Sequence, residues 1–220
     1  MTPQRPLSDD LDELEATDPV VGDAADRLDE LAGLDVLPRW MLRAERRKLA
    51  FAHLDGLPRQ LADQVCISAA ITEGDPRRAD LKHASHYHLV MDLAGDPILG
   101  SQLPPDVPRD EAGMCYRNAA QLAETEGWTY VEGVAASERL GIAMFHAWCL
   151  DDDGRVVDPT WEEPEQCVYW GIPFAEDFVY ELLRHYDLYG FFTADEMEGT
   201  MLRLGLVLDD DGRACALGEL

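Results

Sequence analysis

The chain is short of most features that announce a familiar chemistry. Only five of its 220 residues are cysteines, at positions 66, 115, 149, 167 and 215. An odd, scattered set offers no disulfide framework, which points to a reducing compartment. There is no Cys-x-x-Cys or His-Glu-x-x-His pairing and no Gly-rich phosphate loop, so nucleotide chemistry has no support. Two metal sets are conceivable, His83 with His86 and His88, or Cys115 with His146 and Cys149. Neither has a ligand spacing that favours zinc, and the expectation is no metal and no cofactor.

Positive charge is also scarce. Eighteen basic residues face 44 acidic ones, a formal charge of −26. Such a surface repels nucleic acid and anionic membranes and excludes both as charge-driven partners. Lys48 and Lys82 are the only lysines; the other 16 basic residues are arginines. A codon bias toward Ala, Asp, Gly and Arg explains this better than an enzyme sparing its own amines. No apolar run is long enough to span a bilayer, and the first ten residues hold no apolar signal region. The expected location is cytoplasmic.

A 46% hydrophobic content suits one domain with a sizeable core, with room for a helical addition. Residues 1–36 read as an acidic arm, disordered over 1–18, with a short helix from Asp23 to Leu34. Residues 37–100 read as a helical N-terminal region. In it, Arg39, Arg43, Arg46, Arg47 and Lys48 interleave with Trp40, Leu42, Leu49, Phe51 and Leu54 at helical spacing. A basic amphipathic helix can lie on a membrane, but packing on its own domain and pairing with the acidic arm is the favoured reading. A further helix is expected over 57–72 and a strand over 84–92. A Pro-rich loop over 96–110 opens the rest of the chain, residues 101–220. There a strand is expected from Tyr130 to Ala135, helices over 175–186 and 193–204, and a hairpin over 205–217.

Three stretches carry potential chemistry: Met114-Cys115-Tyr116-Arg117-Asn118-Ala119-Ala120, Phe145-His146-Ala147-Trp148 and Val157-Asp158-Pro159-Thr160-Trp161. Cys115 follows a segment too rich in proline to be helical and precedes good helix formers that run to Gly127. A thiol in the first turn of a helix lies near the positive end of the dipole, which favours the reactive thiolate. Ala143 to Leu150 alternates as a strand. Asp151-Asp152-Asp153-Gly154 is a turn signal, and Arg155 to Asp158 returns as the partner strand. A loop of Asp152, Asp153 and Gly154 pairs Asp151 with Arg155, His146 with Thr160 and Trp148 with Asp158. His146 and Asp158 then become diagonal neighbours, about 7–8 Å apart at the backbone and within side-chain reach. A two-residue loop would send them to opposite faces. The hexapeptide Leu-Asp-Asp-Asp-Gly-Arg recurs at 208–213, which reads as the same turn chemistry used twice.

A thiol, an imidazole and a carboxylate are the parts of a nucleophile, its base and the group that orients the base. Set in this order, Cys at a helix start, His-Ala-Trp on a strand and Asp-Pro-Thr after a hairpin resemble the core of the transglutaminase-like superfamily of cysteine enzymes, relatives of papain-like proteases. Tyr130-Val131-Glu132-Gly133 and Gly171-Ile172-Pro173-Phe174 extend the resemblance to a group of bacterial and phage proteins of that superfamily, over roughly residues 110–190. The resemblance implies an α+β fold, in which a helix bearing Cys115 packs on an antiparallel sheet bearing His146 and Asp158. It makes residues 101–220 a catalytic core. It implies a cysteine hydrolase or acyltransferase that cleaves an amide of a peptide or protein through a thioester. The alternative is a catalytically silent module of the same fold that binds a phage or host partner. The backbone N–H of Cys115 is the expected oxyanion donor. Asn118 is a candidate second donor, and Trp148 and Trp161 are candidate cleft walls. The Gln that papain-like proteases place upstream of the cysteine has no clear counterpart; Gln102 is the nearest. Oligomeric state is not legible.

Overall fold

The helices begin and end where local chemistry dictates. A computed structural model of the protein describes residues 16–34, 37–186, 189–193 and 195–219. Of the disorder expected over 1–18, residues 1–15 lie outside the described residues, but 16–18 are ordered, with 16–17 helical and Asp18 capping the helix that follows. The first long helix, α1 (Pro19–Gly33), starts four residues before the expected Asp23. Asp18 caps it, accepting from the N–H of Val20 at 2.9 Å, and Pro19 fills the first helical position, where its missing N–H costs nothing.

The basic stretch forms α2 (Arg39–Leu49) and packs between α1 and α3 (Gly56–Glu73). Its charges are answered from both sides: Arg46 pairs with Asp29 of α1 at 3.3 Å, and Arg43 and Arg47 meet Glu73 of α3 at 3.0 and 2.9 Å. Pairs this exposed add little stability; they account for the cationic face within the chain. Among the described residues, no helix is long and apolar enough to cross a membrane.

Residues 84–92 are not a strand. They form α4 (His86–Leu93). The expected strand fails because Leu89, Val90 and Met91 are consecutive and all buried. A short run buried on every side has no face to alternate, so its period cannot separate helix from strand. Two buried histidines fix α4. Ser85 Oγ lies 3.0 Å from His88 Nδ1, and His86 stacks on Phe192 with ring centroids 4.7 Å apart. His83 Nδ1 meets Asp92 at 3.0 Å.

Two sheets complete a mixed α+β architecture. The larger is antiparallel, in the order β1 (Ile98–Leu99), β5 (Cys167–Pro173), β2 (Thr129–Ser137), β3 (Met144–Leu150), β4 (Val156–Val157). The helix α5 (Cys115–Glu126) lies against β3 and β2 and ends at Gly127, whose φ of 73° is the left-handed cap that favours glycine. The thiol of Cys149 on β3 donates to the Ala119 carbonyl of α5 at 3.1 Å. After β5 come α6 (Glu176–Tyr186) and α7 (Asp195–Leu204), then the hairpin of β6 (Leu206–Leu208) and β7 (Ala214–Leu217). The larger core lies on the helix side of the sheet and joins Leu61, Val65 and Leu89 to Ala119, Val134, Ala147 and Ile172. A smaller one on the opposite face gathers Val131, Trp148, Val156 and Tyr169.

The repeated hexapeptide does form one turn twice. Asp151 accepts from the N–H groups of Asp153 and Arg155 at 3.0 and 2.9 Å; Asp209 accepts from Asp211 and Arg213 at the same distances. In each, the glycine closes the turn at positive φ, 75° at Gly154 and 78° at Gly212.

Glu132 is the least expected feature of the sheet. Its carboxylate is wholly buried on β2 and accepts from three donors: the Tyr130 hydroxyl at 2.6 Å and the N–H groups of Phe191 and Phe192 at 2.8 and 2.9 Å. Burial pushes its pKa up and the three donors pull it back, leaving it at about 7. The segment Gly190–Thr193 is thereby held over α5. A Cβ at Gly190 (φ 91°) would come within 3.0 Å of the Tyr116 ring. Replacing Glu132 with alanine strands two buried N–H groups and a hydroxyl, each worth about 1–3 kcal/mol. Glu132→Ala should therefore lose ~3 kcal/mol or more in urea unfolding, and Glu132→Gln, which keeps one acceptor oxygen, distinctly less.

Candidate functional site

The hairpin register is the expected one where the ladder exists: Cys149 faces Val157 and Leu150 faces Val156. The ladder stops there, so the strand pairings of His146 with Thr160 and Trp148 with Asp158 do not form. Pro159 has no N–H to offer a ladder, and Asp158 turns out of the strand. Its carboxylate folds back on the turn instead. Oδ1 accepts from the N–H of Thr160 at 2.8 Å and of Trp161 at 3.3 Å. Oδ2 is left to face His146 Nε2 at 2.8 Å, and the Tyr169 hydroxyl donates to the same oxygen at 2.8 Å.

His146 sits on β3 at the end of a cross-strand row whose other members are Gly133 and Gly171. Both glycines are required by close approach. A Cβ on Gly171 would lie 2.5 Å from the Trp148 ring, and one on Gly133 would lie 2.2 Å from the Trp170 carbonyl. The imidazole is 2% exposed, and Asp158 is fully buried. With Nε2 on Asp158, the proton that the ring can exchange is the one on Nδ1, and Cys115 lies near enough to favour the charged ring. Burial disfavours the charged imidazolium, but the charge and hydrogen bond of Asp158, with Cys115 adding, outweigh it and push His146 up to about 9. Burial works against ionised Asp158 too; the His146 charge and hydrogen bond, the Thr160 N–H and the Tyr169 hydroxyl hold it below the usual carboxylate range.

Cys115 is the first residue of α5, after Gly113 at φ 82° and Met114, which supplies no side-chain cap. First-turn N–H groups have no acceptor within their own helix, and that of Cys115 is among them. The Cys115 loop is stitched to the Asp158 turn. The N–H of Asp110 donates to the Pro159 carbonyl at 2.9 Å, and the Arg109 guanidinium donates to the Trp161 carbonyl.

Asn118 completes the stitching and is therefore not an oxyanion donor. Its amide nitrogen donates to the Glu111 carbonyl at 2.8 Å and to Thr160 Oγ1 at 3.1 Å, which commits both of its N–H bonds. Trp148 is not a cleft wall either. It is 1% exposed and packs with Tyr169 in the smaller core. Trp161 does face the site: its ring stacks on His146 at 4.4 Å and is only partly buried. Trp170 is core as well, its ring N–H donating to the Gly95 carbonyl.

Tyr169 is the functional residue that sequence reasoning missed. It lies on β5, eleven positions from Asp158 in the chain and on a strand that the local pattern did not announce. A tyrosine within the apolar run Cys167-Val168-Tyr169-Trp170 reads as core, and the one available signal is that a buried tyrosine hydroxyl needs a partner.

Together these groups can take a proton from a thiol, hold it on a buried imidazole and return it, with Asp158 fixing the ring throughout. No protein-family model, curated protein or solved structure matches the chain.

The pH dependence has a definite sign. His146 is raised above its ordinary 6.5, so its contribution to stability is complete below that value and is lost as pH rises through about 9. The lowered Asp158 contributes above its ordinary 3.8, and that contribution is lost as pH falls. Asp158→Asn should cost ~3 kcal/mol near pH 6 and flatten the decline between pH 6.5 and 9, read by urea unfolding across pH. Tyr169→Phe should cost about 1.5–3 kcal/mol, the range for a hydrogen bond to a charged group.

Proposed function

We propose that the protein is a cysteine-dependent hydrolase or acyltransferase of transglutaminase-like, papain-related type, acting on an amide bond of a peptide or protein. The observation that carries this reading is the buried His146, with Asp158 2.8 Å from its Nε2 and Cys115 near enough to the same ring to favour its charge.

The proton of Cys115 rests on Nδ1 of His146, and the thiolate sulfur forms a bond to the carbonyl carbon of the amide. The oxygen becomes an oxyanion, for which the N–H of Cys115 at the helix start is the available donor. As the C–N bond breaks, the leaving amine takes the proton from His146, and a thioester to Cys115 remains. Water or an amine then attacks the thioester, His146 takes its proton, the sulfur leaves as thiolate, and the thiolate–imidazolium pair is restored. Entry of water gives hydrolysis or deamidation; entry of an amine gives a new amide. Asp158 keeps Nε2 protonated and stabilises the imidazolium through both halves. None of these steps calls for a cofactor.

The test is the alkylation rate of Cys115 against pH, followed by peptide mass spectrometry, with the four other cysteines as internal controls. Burial holds Cys66 at about 12 and Cys167 at about 11, so both should stay unreactive. Cys115 should label rapidly below neutral pH, and His146→Ala should slow it by about tenfold or more as the thiolate loses its counter-ion. Labelling at the rate of an ordinary thiol, or indifference to the mutation, would leave a silent binding module as the better account.

A further inference from the structure

A cleft of about 260 Å³ opens beside Trp161 and shares its walls with the site. Ala112, three residues before Cys115, and Thr160, two after Asp158, line it together with Trp161. Its volume falls below the roughly 300–1,000 Å³ of sites that hold a whole small ligand, and suits one long side chain. Trp161, which also stacks on His146, and the half-exposed Leu140 give it apolar surface.

Its polar lining is biased toward negative charge. Glu162 and Glu163 stand against one cation, Arg139. Arg139 meets Glu162 only at 4.0 Å, with both side chains about four-fifths exposed, a geometry worth little. Among the described residues, no basic group pairs with Glu163. The chain as a whole, at −26, adds a field of the same sign.

We propose that this cleft receives the side chain of the substrate residue next to the scissile amide, and that this residue is arginine or lysine. The aliphatic stem lies along Leu140 and Ala112, the cationic head is drawn to Glu162 and Glu163, and the indole of Trp161 offers it a π face. The proposal rests on the cysteine-enzyme reading above and gives it a substrate class: basic peptides or the basic segments of proteins.

The test compares three peptidyl chloromethyl ketones that share one peptide arm and carry Arg, norleucine or Glu beside the warhead. Each labelling rate at Cys115 is divided by the rate with iodoacetamide, which has no side chain to place. The Arg reagent should label about tenfold faster than the Glu reagent, with norleucine between them. In the double variant Glu162→Gln, Glu163→Gln, normalised to its own iodoacetamide rate, that ratio should fall to about twofold or less. Rapid labelling by iodoacetamide with equal rates for all three ketones would overturn the cleft assignment and leave the cysteine chemistry standing. So would an Arg preference that survives the double variant. Slow labelling by iodoacetamide itself would overturn the cysteine-enzyme reading, and the cleft assignment with it.

Discussion

The site depends on one buried carboxylate. Asp158 has no contact with solvent, yet it is held ionised because four donors converge on it: two backbone N–H groups from its own turn, the imidazole of His146 and the hydroxyl of Tyr169. A carboxylate taken out of water without such partners would be protonated. Two of the donors define the turn, one ties it to β5, and the fourth is the imidazole that meets Cys115. The charge of Asp158 thus sets both the orientation of His146 and its protonation state.

The rest of the chain keeps Cys115 in register with that pair. Asn118 and the 109–111 segment bind the start of α5 to the Asp158 turn, so the thiol and the carboxylate are parts of one hydrogen-bonded unit. On the helix side of the sheet, a second buried carboxylate, Glu132, holds Phe191 and Phe192 in place, and Phe192 in turn stacks on His86 of α4. The N-terminal helices and the C-terminal segment are both engaged in packing the sheet that carries His146. Each buried polar group is expensive alone and acceptable in a satisfied network.

Where the sequence was legible, the reason was local. The start of α5 followed from prolines before it and helix formers after it. The hairpin followed from Asp-Asp-Asp-Gly, and its loop length set the register of the two pairs that form, while the turn that brings Asp158 to His146 lies beyond the ladder. The same turn at 208–213 forms with the same bonds. What was not legible depends on partners distant in the chain. Nothing near Asn118 in sequence says that its amide is consumed by Glu111 and Thr160; nothing near Glu132 announces Phe191; and Tyr169 became a partner of Asp158 only when β5 joined the sheet. The helix at His86–Leu93 was misread because burial on all sides erases the period that tells helix from strand. Strands β1 and β5 were not anticipated, for the same reason in β5 and for want of length in β1.

The central claim is that His146 is held as an imidazolium between Asp158 and Cys115. The most direct measurement is the ¹⁵N NMR titration of the His146 ring from pH 5 to 10. The account predicts both nitrogens protonated at pH 7, with deprotonation near 9. A neutral ring at pH 7 that titrates near its ordinary 6.5 would contradict it.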